Sequence, residues 1–268
     1  MRVPLERRVF ILPTLFTCGN LVCGALACFS GARDALMLQI QGEGALPAGK
    51  EPFVAACWLV GLAGVFDFFD GLVARLTRST SAFGKELDSL SDLISFGMAP
   101  ATILYLSMLR NQSWGLPIAV AFVVCGGLRL ARYNVSAARE EKREFKGLPI
   151  PAAGVTLVSY VVFWRYTGVY MDSGAEGGVF RDRYMNWYVE RLHFFHEVAI
   201  PVLTAALAAL MVSTLAYPDL RRVLIRRTAP MTLATVMGLA VLIVGWRPEV
   251  AAFPLFLTYS LIAPSRWA

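Results

Sequence analysis

Four aspartates at helical spacing form the part of the sequence best suited to chemistry. Asp67 and Asp70 stand three residues apart, and Asp88 and Asp92 stand four apart. Because an α-helix turns about 100° per residue, each pair lies on one face of its helix. Carboxylates that converge in a medium of low dielectric need a compensating cation, since burying each charge costs several kcal/mol. The spacing therefore predicts a cation site between two neighbouring helices.

The residue types around these aspartates indicate which cation and which ligand to expect. The segment offers only oxygen ligands, with no His or Cys nearby, which favours Mg²⁺ or Mn²⁺ over zinc. Gly71 and Ala74 share the acidic face and let a ligand approach the helix backbone, while Arg75 can hold a phosphate oxygen. Small residues can instead serve helix packing, and a lone aspartate can mark a helix end. Ionisable residues in such numbers in a membrane favour a functional site.

The elements that carry these residues must be membrane helices. Of the 268 residues, 57% are hydrophobic and 16% are charged, and the mean hydropathy is +0.57. We expect an all-α, polytopic membrane protein, a helical bundle with about eight transmembrane helices. The predicted spans are approximately Val9–Gly31, Pro52–Leu76, Asp88–Leu109, Trp114–Tyr133, Ile150–Tyr166, Val198–Tyr217, Pro230–Trp246 and Val250–Pro264.

The distribution of Lys and Arg predicts the orientation in the membrane. Most of the 25 basic residues fall on one side if the N-terminus is inside, which places both termini and the aspartates at the cytoplasmic face of a cell membrane. The net charge of +6 favours anionic lipid or a phosphate-bearing substrate, and we expect no nucleic acid as partner.

We expect one integral membrane domain over residues 1–268. Within it, residues 1–167 would hold the catalytic core with the aspartate motif at 67–92, and residues 198–268 would add further helices. The stretch 167–197, which contains both histidines, is predicted to be an external loop or interfacial helix. A carboxylate must therefore act as the base if any side chain does.

The aspartate segment resembles the signature of the CDP-alcohol phosphotransferases at all eight of its fixed positions. These positions read Asp67-x2-Asp70-Gly71-x2-Ala74-Arg75-x8-Gly84-x3-Asp88-x3-Asp92. The resemblance implies a reaction in which a hydroxyl attacks the lipid-linked phosphorus of a CDP-activated lipid and CMP leaves. It implies Asp67, Asp70 and Asp88 as metal ligands, and Asp92 as general base that can also touch a second metal. It also implies a homodimer.

Further segments are similar to the branch of this family that transfers a phosphatidyl group from CDP-diacylglycerol to L-serine. They are "LPTLFTCGNLVCG" near the first helix, in which Thr14 departs from a common Asn, "SFGMAPA", "LRLARYNV" and "FKGLPIPAAG". The residues expected to contact the CDP-lipid are Asn20, Gly71, Ala74, Arg75 and Gly84.

The acceptor site is predicted from charge. Arg129 and Arg132 are three residues apart and share a helix face, with Lys146 across the following loop. A zwitterionic amino acid needs a cationic partner for its carboxylate, and Arg can bind it through two hydrogen bonds. These residues are therefore predicted to bind serine. The alternative is that they only set the topology.

Three other functions fit parts of the sequence. A related enzyme that uses inositol phosphate or glycerol phosphate would share the whole aspartate motif. An intramembrane prenyltransferase also uses Asp-rich helices with Mg²⁺, but it lacks the Gly-x2-Ala-Arg frame. An ion-coupled transporter would bind cations near the bilayer midplane, whereas these aspartates cluster towards one end of two adjacent helices.

Overall fold

The described part of the protein is helical. The computed structural model describes residues 5–41, 51–77, 82–138, 147–173, 181–215, 217 and 248–265, and no strand occurs among them. The α-helices are α1 (Leu5–Gln41), α2 (Val54–Thr77), α3 (Ala82–Asp92), α4 (Ala99–Leu104), α5 (Gly115–Ala138), α6 (Ile150–Ser173), α7 (Arg181–Val212) and α8 (Pro248–Ser265). The π-helical segment Leu93–Met98 joins α3 to α4, and a second one, Tyr105–Leu109, follows α4. Together they form one continuous helical rod from Ala82 to Leu109, here called the third rod.

Several helices are long and apolar enough to cross a bilayer. Four stretches of the described chain meet this condition, namely Thr14–Ile40, Val54–Val73, Phe83–Leu109 and Gly115–Ser136. Shorter apolar helices cover Glu197–Val212 and Ala251–Leu261. The all-α membrane class is thereby supported, whereas the count of about eight spans is not established.

Several predicted boundaries differ from the structure, and one predicted span lies outside the described residues. The helix that contains the span predicted from Val198 begins earlier, at Arg181, so the predicted external segment is partly helical. The third rod likewise begins at Ala82, before the predicted start at Asp88, because helix α3 extends beyond the apolar residues. The predicted span Pro230–Trp246 lies outside the described residues.

Helix α1 packs against both α2 and the third rod, α5 packs against α7, and α6 packs against α8. Gly24 is needed where α1 meets the third rod, since a Cβ there would lie 2.2 Å from Ser95 Oγ and 2.7 Å from Ser95 Cα. The two backbones can therefore approach only because position 24 has no side chain.

The first π-helical segment follows Asp92 directly and has a sequence cause. In an α-helix the carbonyl of Phe96 would accept a hydrogen bond from residue 100, but Pro100 has no N–H. The Ala99 N–H instead bonds to the carbonyl of Ile94, five residues earlier. Helix α6 approaches the Phe96 carbonyl closely, since a Cβ on Gly154 would lie 2.4 Å from that oxygen. A π-helical segment beside a set of acidic residues is typical of functional sites.

Candidate active site

Three of the four signature aspartates converge. One carboxylate oxygen from each of Asp67, Asp88 and Asp92 lies within 4.8 Å of the others. Asp67 comes from α2, and the other two come from one face of α3, as the helical spacing predicts. The charges of these carboxylates repel one another in a largely buried setting. The group therefore has the composition and spacing of a cation site.

Asp70 lies outside this group of three. Its carboxylate is buried and accepts a 2.5 Å hydrogen bond from the hydroxyl of Thr17 on α1. Thr17 itself is buried, and its carbonyl accepts a hydrogen bond from Ser91 on α3. Thr17 thus links helices α1, α2 and α3 at the level of the aspartates.

Asn20 supports the most deeply placed of the three carboxylates. Its Nδ2 donates a 3.3 Å hydrogen bond to Oδ1 of Asp92, and its backbone carbonyl accepts a bond from Ser95 Oγ. The Asn20 side chain is fully buried, and its Oδ1 has no hydrogen-bond partner among the described residues. A buried acceptor of this kind is rarely left unpaired, which favours a donor from a bound ligand or water.

The side chains present fit a divalent cation that prefers oxygen. The three converging groups are carboxylates, and the orphaned Asn20 Oδ1 adds one more oxygen beside them. Neither Cys nor His joins the cluster among the described residues, so its chemistry suits a hard ion.

The two arginines of the predicted acceptor site have different surroundings. Arg129 is buried, its charge acts on Asp92, and its Nε has no hydrogen-bond partner among the described residues. Arg132 is more exposed and donates hydrogen bonds to three backbone carbonyls at the end of α7. Two residues after Arg132, Asn134 donates a 3.0 Å hydrogen bond to the hydroxyl of Ser89 on α3. Helix α5 is therefore tied to the aspartate helix on one side and to α7 on the other.

Comparison with known proteins agrees with this geometry. The family model described as CDP-alcohol phosphatidyltransferase matches residues 10–260. The chain belongs to that family.

The chain is also similar to individual members of the CDP-alcohol phosphatidyltransferase family. It is 33% identical over 216 residues to the "CDP-diacylglycerol–serine O-phosphatidyltransferase" of Helicobacter pylori, an alignment that covers 80% of this chain and 75% of the relative. It is 33% identical over 168 residues to the protein of the same name in Bacillus subtilis, an alignment that covers 62% of this chain and 82% of the relative. An "Archaetidylserine synthase" of Methanothermobacter thermautotrophicus is 43% identical over 123 residues, covering 45% and 50%.

The remaining signature residues of the family are placed as follows. Gly71 lies on α2 one residue after Asp70, and Gly84 lies on α3 one turn before Asp88. Ala74 and Arg75 lie in helix α2, and the structure describes their backbone but not their side chains. Lys146, the third predicted acceptor residue, lies outside the described residues.

The sequence predicts no role for several polar side chains that lie around the aspartates in the structure. They are Thr17, Ser89, Ser91, Ser95 and Asn134. Ser91 and Ser95 share the helical stripe of Asp88 and Asp92, which is the one signal that points to them. Thr17 and Asn134 are on other helices, so no spacing rule relates them to the aspartates.

Proposed function

We propose that this chain transfers the phosphatidyl group of CDP-diacylglycerol to the hydroxyl of L-serine, giving phosphatidylserine and CMP. The observation that carries the proposal is the convergence of Asp67, Asp88 and Asp92 within 4.8 Å, next to a buried arginine with an unpartnered donor. The names of the relatives from Helicobacter pylori and Bacillus subtilis support serine as the acceptor.

Asp92 is the proposed general base. It is the deepest carboxylate of the group and has two supports, a hydrogen bond from Asn20 and the positive charge of Arg129. The serine hydroxyl gives its proton to Asp92 as its oxygen forms a bond to the lipid-linked phosphorus. The bond from that phosphorus to the bridging oxygen of the pyrophosphate breaks, and CMP leaves with this oxygen.

Asp67, Asp70 and Asp88 are the proposed ligands of Mg²⁺ or Mn²⁺. Asp67 and Asp88 share the cluster with Asp92, while Asp70 is fixed beside it by Thr17. A bound divalent cation would supply charge neutralisation on the pyrophosphate and on the leaving CMP. The chain's own part is to hold these carboxylates in place before the substrate arrives, through the bonds from α1.

Arg129 is the proposed partner of the serine carboxylate, and Arg132 and Lys146 are the other basic residues proposed to lie at the acceptor site. Burial of Arg129 beside Asp92 places a cation where an amino acid would need one if its hydroxyl were to reach the base. Asn20, Gly71, Ala74, Arg75 and Gly84 remain the proposed contacts of the CDP-lipid.

We further propose that the aspartate end of the bundle faces the cytoplasm, with both termini on that side. The support is the distribution of basic residues along the sequence. We also propose that the chain forms one domain, with residues 1–167 as its catalytic core. The protein is further proposed to be a homodimer.

The deciding experiment measures release of CMP from CDP-diacylglycerol by purified protein with Mg²⁺ or Mn²⁺. The acceptors compared are L-serine, inositol phosphate, glycerol phosphate and none. Release that requires both serine and a divalent cation is the expected result. Release with another acceptor would retain the aspartate chemistry and reject serine, and no release under any condition would reject the reaction.

A further inference from the structure

Arg132 caps the end of a helix that lies far from it in sequence. Its Nη1 donates a 2.7 Å hydrogen bond to the carbonyl of Val212, and its Nη2 donates to Ser213 at 3.0 Å and Met211 at 3.3 Å. The last carbonyls of an α-helix have no partner within the helix and carry its negative dipole end. The positively charged guanidinium of Arg132 is therefore well suited to bind these carbonyls at the end of α7.

The same end of α7 is held by the segment that leads into α6. The Gly147 N–H donates to the carbonyl of Leu215 at 2.8 Å, and the Leu148 N–H donates to that of Leu210 at 3.0 Å. Gly147 has a φ of 84°, and a Cβ there would lie 2.4 Å from the Met211 carbonyl oxygen and 2.9 Å from Arg132 Nη2. Only glycine fits at position 147 beside the arginine.

Arg132, Gly147 and Leu148 together thus satisfy the carbonyls at the end of α7, and we call this arrangement the α7 clasp. It joins α5, the start of α6 and the end of α7 at one place. Arg129 lies three residues before Arg132 on the same face of α5, so fixing Arg132 also fixes the rotation of α5 that sets Arg129 beside Asp92.

The two arginines differ in what they offer a substrate. Arg129 is 8% exposed and keeps a buried Nε without a partner among the described residues. The guanidinium of Arg132 donates hydrogen bonds to three backbone carbonyls among the described residues. We infer that Arg132 is a positioning residue: through the α7 clasp it holds Arg129 in place, and Arg129 alone binds the carboxylate of the acceptor. This inference rests on the proposed function.

A double-mutant cycle tests this division of roles. The purified variants are R129A, R132A and R129A/R132A, and the measured quantities are KM for serine, KM for CDP-diacylglycerol and kcat. We expect R129A to raise KM for serine by about tenfold or more, because a charge-assisted pair is lost. R132A should raise it as well, but the double variant should be no worse than R129A alone.

Additive effects in the cycle would overturn the inference, since Arg132 would then contact the acceptor itself. An R132A variant that lowers kcat with both KM values unchanged would also overturn it. Gly147→Ala disrupts the α7 clasp independently and should change KM and kcat as R132A does. Arg110 is an exposed arginine after the third rod, and Arg110→Ala should leave both KM values and kcat as in the wild type.

Hydrogen exchange of residues 205–215 tests the α7 clasp without relying on activity. R132A and Gly147→Ala should speed exchange in this segment, and R129A should leave it as in the wild type. Unchanged exchange in R132A would overturn the clasp. The serine dependence of the wild-type enzyme separately decides the proposed function, and if another acid acceptor is used, the same cycle is measured with that acceptor.

Discussion

Asn20 of α1 and Asp92 of α3 are joined by a 3.3 Å hydrogen bond from the amide Nδ2 to the carboxylate Oδ1. Both side chains are buried, and the amide oxygen of Asn20 remains available beside the carboxylate cluster. One residue of the first helix therefore donates to the proposed base and keeps a buried acceptor atom in the same amide group.

Replacing Asn20 tests this double role. Asn20→Ala removes the hydrogen-bond donor to Asp92. The buried carboxylate then has one partner fewer, which destabilises its charged form by about 1–3 kcal/mol. We expect kcat for CMP release to fall by about ten- to hundredfold at saturating substrates. Gln112→Ala, which changes an amide on the loop after the third rod, is the matched control and should keep the wild-type kcat. Equal kcat in the two variants would exclude the role of Asn20.

Thr17→Val should raise the concentration of divalent cation that the enzyme needs for half-maximal rate. The substitution keeps the shape of the side chain but removes the 2.5 Å hydrogen bond to the buried Asp70. Bonds to charged groups contribute about 1.5–3 kcal/mol, so we expect the Mg²⁺ concentration for half-maximal rate to rise about tenfold. Thr17→Ser retains the hydroxyl and should behave as the wild type. A Mg²⁺ titration that is the same for both variants would show that Asp70 acts without Thr17.

The aspartate cluster could be predicted from the sequence only in part, because Asp67, Asp88 and Asp92 converge whereas Asp70, expected with them, lies outside the group of three. Asp88 and Asp92 share a face by spacing alone, and a short connection brings Asp67 opposite them. The contact of Arg132 could not be predicted, because its partners are backbone carbonyls about 80 residues away, which every residue possesses. Charge and spacing alone therefore predict that Arg132 joins Arg129 in the acceptor site, although the structure gives the two side chains different surroundings.

The length of the helices was predicted less well than their positions. The apolar run that predicts a span ends at Gly31, but α1 continues to Gln41. Hydropathy marks the part of a helix inside the bilayer, whereas hydrogen bonding continues into the polar part. The π-helical segment after Asp92 was also missed, although Pro100 provides its cause.

Gly24→Ala should destabilise the packing of α1 against the third rod. The added Cβ would lie 2.7 Å from the Ser95 backbone, so a backbone shift is required. Overpacking of this kind costs about 1–3 kcal/mol, and we expect a lower melting temperature in detergent. Gly61→Ala is the matched control, because its Cβ would meet only the Trp58 ring at 4.0 Å and should be neutral or slightly stabilising. Equal melting temperatures would argue against close packing at Gly24.

Asp34 should prove structural rather than catalytic. It is 5% exposed, and its Oδ2 accepts a 3.0 Å hydrogen bond from the backbone N–H of Phe53, whose φ is 67°. Asp34→Ala leaves this N–H unpaired, and we expect the free energy of unfolding to fall by about 1–3 kcal/mol. The kcat of the folded variant, measured below its melting temperature, should equal that of the wild type. Asp34→Asn keeps an acceptor oxygen and should be less destabilising. A loss of kcat in a folded Asp34→Asn protein would contradict this assignment.

Asp92→Asn tests the proposed base directly, with Asp34→Asn as the control for loss of one buried carboxylate. The amide keeps the size of the side chain but cannot take the proton of the serine hydroxyl. General-base catalysis contributes about 10²–10⁴-fold, so kcat should fall by that factor while KM for CDP-diacylglycerol stays close to the wild-type value. Single-turnover release of CMP would separate the chemical step from release of product. A wild-type rate in that measurement would remove Asp92 from the role of base, whereas a large rise in KM for CDP-diacylglycerol would assign it to substrate binding through the cation.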